Sequence, residues 1–460
     1  MDRAVTSKSI RVFAWSLVSA AALMGILIAL PAGQAHTASH QAGSSGLQSK
    51  LDLLGDVIEH VHAQYVDRPD DAKMVEGAIN GMLATLDPHS SYMNAKQYAE
   101  MQEDMSGEFG GLGIEIKLMS DALKIVAPID DTPATRAGLR ANDLITKIDG
   151  KPVDMSNIDG SVAQMRGPLG APVTLTISRN GVEQPFDVTL KRDVIHLSPV
   201  KARVEDNVAY LAISSFTEQT PAAVEKAIAG LKDQIGSSLK GYVLDLRNDP
   251  GGLLDASITV TGQFLKAGKI VSVKGRNGLE LEHAEAVAGD ITNGKPIVVL
   301  INGATASAAE IVTGALQDDK RATVVGTRSF GKGTVQNIIP LGKGNGALRL
   351  TTARYYTPSG RSIQAKGIDP DIVVEENVPA QIRAKLSAVT VPGEGSLSNH
   401  LKNPEGDENA AASLAYIPEK AEDDTQLQYA LGLIRGTAVV AAGPSSKLPR
   451  DGQAGAPVAN

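Results

Sequence analysis

Pro296-Ile297-Val298-Val299-Leu300-Ile301-Asn302-Gly303-Ala304-Thr305-Ala306-Ser307-Ala308-Ala309-Glu310 is the stretch whose reading decides the fold. An unbroken apolar run rich in β-branched residues suits a strand covered on both faces, as in a parallel sheet. Asn302-Gly303 breaks the run, and the small residues from Ala304 start a helix. The pattern recurs where Ala322-Thr323-Val324-Val325-Gly326 leads into Arg328-Ser329-Phe330-Gly331-Lys332-Gly333-Thr334-Val335-Gln336. Ser307 therefore stands at a strand-to-helix turn, and Lys332 stands between glycines beyond the next strand.

Outward from there the alternation continues. Residues 209–213 and 242–246 read as strands, and 348–356 as a returning strand rich in Thr and Tyr. Residues 222–235 form an amphipathic helix with Val224, Ala227, Ile228 and Leu231 on one face. Arg247-Asn248-Asp249-Pro250-Gly251-Gly252 is a turn, and 253–265 a further helix. Such alternation predicts an α/β sheet whose sites gather beyond the strand C-termini. The Asp249–Gly252 turn, Ser307 and Lys332 all follow predicted strands, so one sheet edge can collect them.

Residues 107–192 read instead as a β-rich module. Strand-like runs at 112–118, 123–127, 144–148, 173–177 and 186–190 accompany turns at Asp149-Gly150 and Asn180-Gly181 and short helices at 132–137 and 156–165. This order, with Gly110-Gly111-Leu112-Gly113-Ile114, Ala137-Gly138-Leu139 and Asp143-Leu144-Ile145, resembles a PDZ domain of the bacterial, circularly permuted kind. The resemblance implies that the backbone at Gly111, Leu112, Gly113 and Ile114 holds a peptide's C-terminal carboxylate while the peptide adds as a strand beside Ile114-Glu115-Ile116. Arg166 is either a sensor of that peptide or a solvated arginine at a helix end.

At the N-terminus, Arg3, Lys8 and Arg11 precede an uncharged run, 12–30, and Pro31-Ala32-Gly33-Gln34-Ala35 offers small residues for a signal peptidase. A cleaved signal and a retained membrane anchor in residues 1–35 both fit, and either exports the body, with the periplasm as the expected place. Residues 36–49 read as a linker. Helical spacing at 50–65, 75–86 and 97–105 gives an N-terminal helical region, 50–106, expected to pack on the body or on a second copy. Residues 193–376 form the α/β core, and 377–460 are expected to be largely flexible, with a helix at 426–434 and a disordered end from 442. The net charge of -8 leaves no footprint for nucleic acid. The chain has no cysteine, which excludes disulfides, thiolate metal sites and a cysteine nucleophile.

A serine hydroxyl needs a base. The histidines fall in linkers, N-terminal helices, turns or polar stretches, and none follows a core strand, so a Ser-His-Asp triad is not expected. A lysine replaces histidine if burial lowers its pKa. Lys332 has Phe330 and Val335 nearby and no acid within five residues on either side. Gln336 is suited to orient a neutral amine without restoring its charge. The Ala308 N–H and the Gly251-Gly252 turn are candidate oxyanion donors, aided by the positive end of the helix after Ser307.

Together Ala304-Thr305-Ala306-Ser307-Ala308-Ala309-Glu310-Ile311, Phe330-Gly331-Lys332-Gly333-Thr334-Val335-Gln336, Asp245-Leu246-Arg247-Asn248-Asp249-Pro250-Gly251-Gly252 and Leu86-Asp87-Pro88-His89-Ser90 resemble the carboxy-terminal processing proteases. The resemblance implies a multidomain α/β serine-protease core with an inserted PDZ domain and N-terminal helices, without cofactor or metal. It implies a periplasmic endopeptidase acting on protein or peptide substrates near their C-termini, homo-oligomeric and open to an adaptor protein. By motif position Ser307 is the nucleophile, Lys332 the general base and Gln336 its orienter. Thr305 and Ala309 stand where the family often has serine.

Three rival readings remain. Ser307-Ala308-Ala309-Glu310 also spells a capping box, in which the serine only caps a helix. Gly326 to Lys332 matches the start of a phosphate-binding loop, but Gly333 stands where the magnesium-binding hydroxyl belongs. A catalytically silent PDZ scaffold is the third, and it needs one catalytic residue to be missing.

Overall fold

The computed structural model describes residues 38–438 apart from 120, 121, 288, 388–391 and 410. The signal or anchor assigned to residues 1–35 and the end from 442 lie outside them. The described residues up to Met74 and those from Val75 onward form two compact units.

In the first unit a helix spans Ala38–Gln64. Residues 38–49, expected to be a linker, are therefore helical. Once the apolar-periodic part beyond residue 50 is helical, each further residue adds a hydrogen bond without a new nucleus, and no proline interrupts.

The second unit is built on a six-stranded sheet. Val200–Glu205 runs antiparallel to Val208–Ile213, which is followed in parallel by Gly241–Asp245, Ile297–Ile301, Thr323–Gly326 and Ile372–Val373. Both faces are covered, so the central strands are mostly apolar, with Asp245 ending one of them. Leu211, Leu244, Val299 and Val324 pack with the helices Thr220–Ile235, Leu254–Phe264 and Ala308–Asp318. The alternate residues Tyr210, Val243, Val298 and Val325 pack with Leu427, Ala430 and Leu431 of the helix Thr425–Arg435. A second, antiparallel sheet joins Ser91–Met93, Thr334–Pro340, Ala347–Tyr356, Lys269–Lys274 and Glu280–Glu285. His283, placed by sequence in a polar stretch, lies on the last of these strands.

The β-rich module is a separate core within this unit. Its strands run Ile114–Leu118, Leu123–Pro128, Leu144–Ile148, Pro172–Ser178 and Phe186–Lys191, and Ile125, Ile145, Leu175 and Ile177 are buried at its centre. Glu108–Gly111 pairs with Asp193–His196, so the chain reaches and leaves the module through one two-stranded ribbon. Among the described residues Ile114–Leu118 pairs on one side only, leaving an edge open.

Residues after 376 were expected to be largely flexible. Over the described part they are packed instead: Glu394, Asn403, Asp424 and Gln426 are all buried. These are polar residues buried by hydrogen bonds to distant partners, which hydrophobic periodicity does not register.

Candidate active site

Because Gly241–Asp245, Ile297–Ile301 and Thr323–Gly326 are parallel neighbours, the turns after them meet at one edge. Asn302 joins the first two turns. Its side-chain oxygen accepts the Asn248 N–H at 3.1 Å and its amide donates to the Asn248 side chain at 2.8 Å. Thr305 Oγ1 donates to the Leu246 carbonyl at 2.8 Å and accepts the Asn302 N–H at 3.0 Å, a duty open to any hydroxyl residue, threonine as well as serine. The Ala306 N–H donates to the Asp249 carbonyl at 2.9 Å.

Ser307 follows with φ 57° and ψ −118°. A side chain other than glycine's is strained there, and such strain persists only where surrounding structure enforces it. The enforcing group is Glu310, wholly buried. Its Oε2 accepts the N–H groups of Ser307 at 2.7 Å and Lys332 at 2.9 Å. Its Oε1 accepts the Ser329 hydroxyl at 2.5 Å and the Gly331 N–H at 2.8 Å. The capping-box spacing is thus real, but the carboxylate also clamps the lysine loop to the serine turn. Burial pushes the Glu310 pKa up to about 7, against the four donors that hold it down.

Gly251 lies against this turn. A Cβ there would sit 2.8 Å from Ser307 Cβ and from the Ala308 nitrogen, at φ 97°. Its N–H is not free, since Asp249 Oδ1 accepts it at 2.8 Å. Gly251 is therefore corrected from oxyanion donor to close-approach residue. The N–H groups of Gly252 and Ala308 donate to nothing among the described residues. Asp249 itself is wholly buried, its Oδ2 lacks a partner among the described residues, and burial pushes its pKa up to about 8.

Lys332 is half-buried and lines one cleft of about 940 Å³ with Ser307, Gly252, Ala308 and Gln336. Burial lowers its pKa, reinforced by Arg349 and opposed by Glu394, Glu310 and Asp87. Its ammonium nitrogen makes no hydrogen bond to Ser307 or Gln336. The Gln336 amide donates instead to the hydroxyls of Thr334 at 2.9 Å and Thr351 at 3.2 Å. Thr351 donates in turn to Asp87 at 3.0 Å. Tyr355, buried, donates its hydroxyl to the Lys332 carbonyl and lies beside the Ser307 side chain; burial raises its pKa well above the ordinary value, so it stays a donor. His89, read as a structural hydrogen-bonder, sits with Nε2 at 3.0 and 2.9 Å from the two oxygens of buried Glu394.

In the β-rich module Gly113 has φ 74°, and a Cβ there would fall 2.2 Å from Thr132. The Leu112 and Gly113 N–H groups are unengaged among the described residues. Gly111 instead belongs to the ribbon with Asp193, and Ile114 opens the edge strand. Arg166 is not at this loop. It ends the helix Ile158–Met165, stacks on Phe109 at 5.0 Å, pairs with Glu103 at 3.8 Å and lines the Ser307 cleft.

Sequence reading singled out neither Tyr355 nor Asp249, and it met Glu310 only as a helix cap. The capping-box spacing was the one available signal for Glu310. Nothing local distinguishes Tyr355 within its strand.

Residues 207–374 match peptidase family S41, 110–190 a PDZ domain, and 22–97 the activating protease CtpB N-terminal domain. The chain is 52% identical over 396 residues to the carboxy-terminal-processing protease of Bartonella bacilliformis, covering 86% of this chain and 90% of that one. It is 37% identical over 346 residues to the carboxy-terminal processing protease CtpA of Bacillus subtilis, covering 75% and 72%. Among solved structures, a photosystem II D1 C-terminal processing protease overlaps 69% of this chain and 86% of its own at 29% identity and a TM-score of 0.42, too low to add to the argument. Identical at 52% of 396 aligned residues that cover 90% of one relative, the chain belongs to the carboxy-terminal-processing proteases, serine-type peptidases of family S41 that carry a PDZ domain.

Proposed function

We propose that the protein is an exported endopeptidase that captures protein substrates by their C-termini and cleaves them with Ser307 and Lys332. The observation that carries this reading is Ser307 at a strained strand-to-helix turn, with the unengaged Gly252 and Ala308 N–H groups and the pKa-lowered Lys332 in the same cleft. Ser307 Oγ attacks the scissile carbonyl and its proton passes to the neutral Lys332 amine. The resulting oxyanion is held by the Gly252 and Ala308 N–H groups. Lys332 returns the proton to the leaving amine, then takes one from the water that releases the acyl group. Gln336 turns toward Lys332 during this cycle and orients it. The substrate's C-terminal carboxylate rests on the Leu112 and Gly113 N–H groups, with its backbone along the open edge of Ile114–Leu118. Arg166 joins the PDZ helix to the cleft through Glu103 and Phe109.

Export to the periplasm rests on residues 1–35, with inner-membrane association if residues 12–30 are retained. Homo-oligomerisation rests on the exposed Leu51, Leu54 and Val57 of the first helix. An adaptor is a further partner to be sought by co-purification.

The test is cleavage of an unfolded protein. Ser307→Ala and Lys332→Ala are each expected to abolish it; full activity in either would sink the assignment, and no cleavage by the wild type would favour a silent PDZ scaffold. Blocking the substrate's C-terminus as an amide tests the capture step, and fractionation of cells tests the location.

A further inference from the structure

Thr334, Gln336 and Ile338 share one face of their strand and line the Ser307 cleft, and across the ladder Ile338 is paired with Arg349 of Ala347–Tyr356. Arg349 is exposed and lines the same cleft. Among the described residues its guanidinium has no ion-pair or hydrogen-bond partner, whereas Arg166, the other arginine of the cleft, is paired with Glu103. Its charge is nonetheless felt at Lys332, where it opposes protonation against the pull of Glu394, Glu310 and Asp87. A planar, permanently charged fork without an anion, in a cleft built for peptide, is a receptor for a carboxylate.

We propose that Arg349 is a specificity-determining residue that receives a carboxylate of the substrate, supplied by an acidic side chain near the scissile bond. The proposal rests on the Ser307–Lys332 reading. From Thr334 to Ile338 the strand covers roughly 13 Å at about 3.3 Å per residue, and the arginine stem reaches back part of the way. The carboxylate is therefore expected about two to four residues from the cleaved bond.

The experiment uses the full chain and internally quenched peptides. The peptides carry a single Asp, or its Asn counterpart, at each position around the scissile bond, and all have the same free C-terminus. The readout is the ratio of kcat/KM between acidic and neutral partners within one enzyme, which a loss of folding does not change. The wild type is expected to favour the carboxylate by about fivefold at one position, with the preference fading in about 0.5 M salt. Arg349→Gln is expected to bring the ratio to one, Arg349→Glu to invert it, and Arg349→Lys to keep part of it. A wild-type ratio of one at every position, or a preference that persists in Arg349→Gln, overturns the proposal. Peptide cleavage by Ser307→Ala would instead overturn the reading beneath it. If Arg349→Gln does not fold, the lysine and glutamate variants and the salt series of the wild type decide.

Discussion

Lys332 has no acid near it in sequence, yet the fold turns Glu310, Glu394 and Asp87 toward it, and each favours its charged form. Burial outweighs them, with Arg349 on the same side, and the amine titrates below its ordinary 10.5. In the proposed mechanism only the neutral amine accepts the serine proton, so kcat/KM should rise with pH as Lys332 deprotonates. Removing the repelling charge in Arg349→Gln raises the Lys332 pKa, which moves that rise to higher pH; a shift to lower pH would contradict the assignment. Asp249 makes a different prediction. Its pKa of about 8 in the fold exceeds its ordinary 3.8, so the stability it contributes is complete below pH 4 and declines as pH rises toward 8. Asp249→Asn keeps an acceptor for the Gly251 N–H and removes the ionisation. Its stabilising effect should be absent near pH 4 and grow to a few kcal/mol, in order of magnitude, by pH 8, read from denaturant unfolding at each pH.

At the scale of elements, the turn before the helix Ala308–Asp318 and the loop before the strand Thr334–Pro340 are bound by one carboxylate. Glu310 Oε1 and Oε2 face only donors, so a glutamine leaves part of the set without an acceptor. Glu310→Gln should lower kcat roughly 10- to 100-fold with a smaller change in KM, because it displaces the attacking and accepting groups rather than the bound peptide. Protonation of the wild-type carboxyl below about pH 7 has the same sense and adds an acid limb to the profile that Glu310→Gln should lack. At the neighbouring turn, Gly251→Ala forces a methyl to within 2.8 Å of Ser307 Cβ. It should cost at least about tenfold in kcat/KM while peptide binding by the PDZ domain is retained, measured by titration with a C-terminal peptide.

Over the whole molecule, the helix Thr425–Arg435 closes the second face of the main sheet, and an ionic cluster fastens it. The Arg247 guanidinium, with no exposure, donates to Asp245 at 2.9 and 2.6 Å and to Asp424 at 2.9 and 2.7 Å, with Gln426 at 3.0 Å. Removing Asp424 strips two hydrogen bonds from the buried guanidinium and leaves it Asp245 and, at 3.6 Å, Glu376. Asp424→Ala should therefore destabilise the protein by about 1.5–3 kcal/mol in denaturant unfolding, whereas the exposed Asp423→Ala should change little. Arg247 belongs to the turn that also carries Asp249 and Gly251, so this distant helix braces the active-site edge.

The sequence by itself determined the buried parallel strands, the PDZ insert and the positions of Ser307 and Lys332, because each follows from local periodicity, turn residues and motif spacing. Val200–Glu205 and Glu280–Glu285 escaped it, since edge strands with a wet face carry polar residues in place of an apolar run. Only the tertiary structure decided that Asp249 occupies the Gly251 N–H, that Glu310 ties serine to lysine, that Gln336 rests on Thr334 and Thr351, and that polar residues beyond 376 are buried. Hydrogen-bond partners and desolvation are set by groups brought together from distant parts of the chain, and their sum fixes which donors stay free and which way a pKa moves.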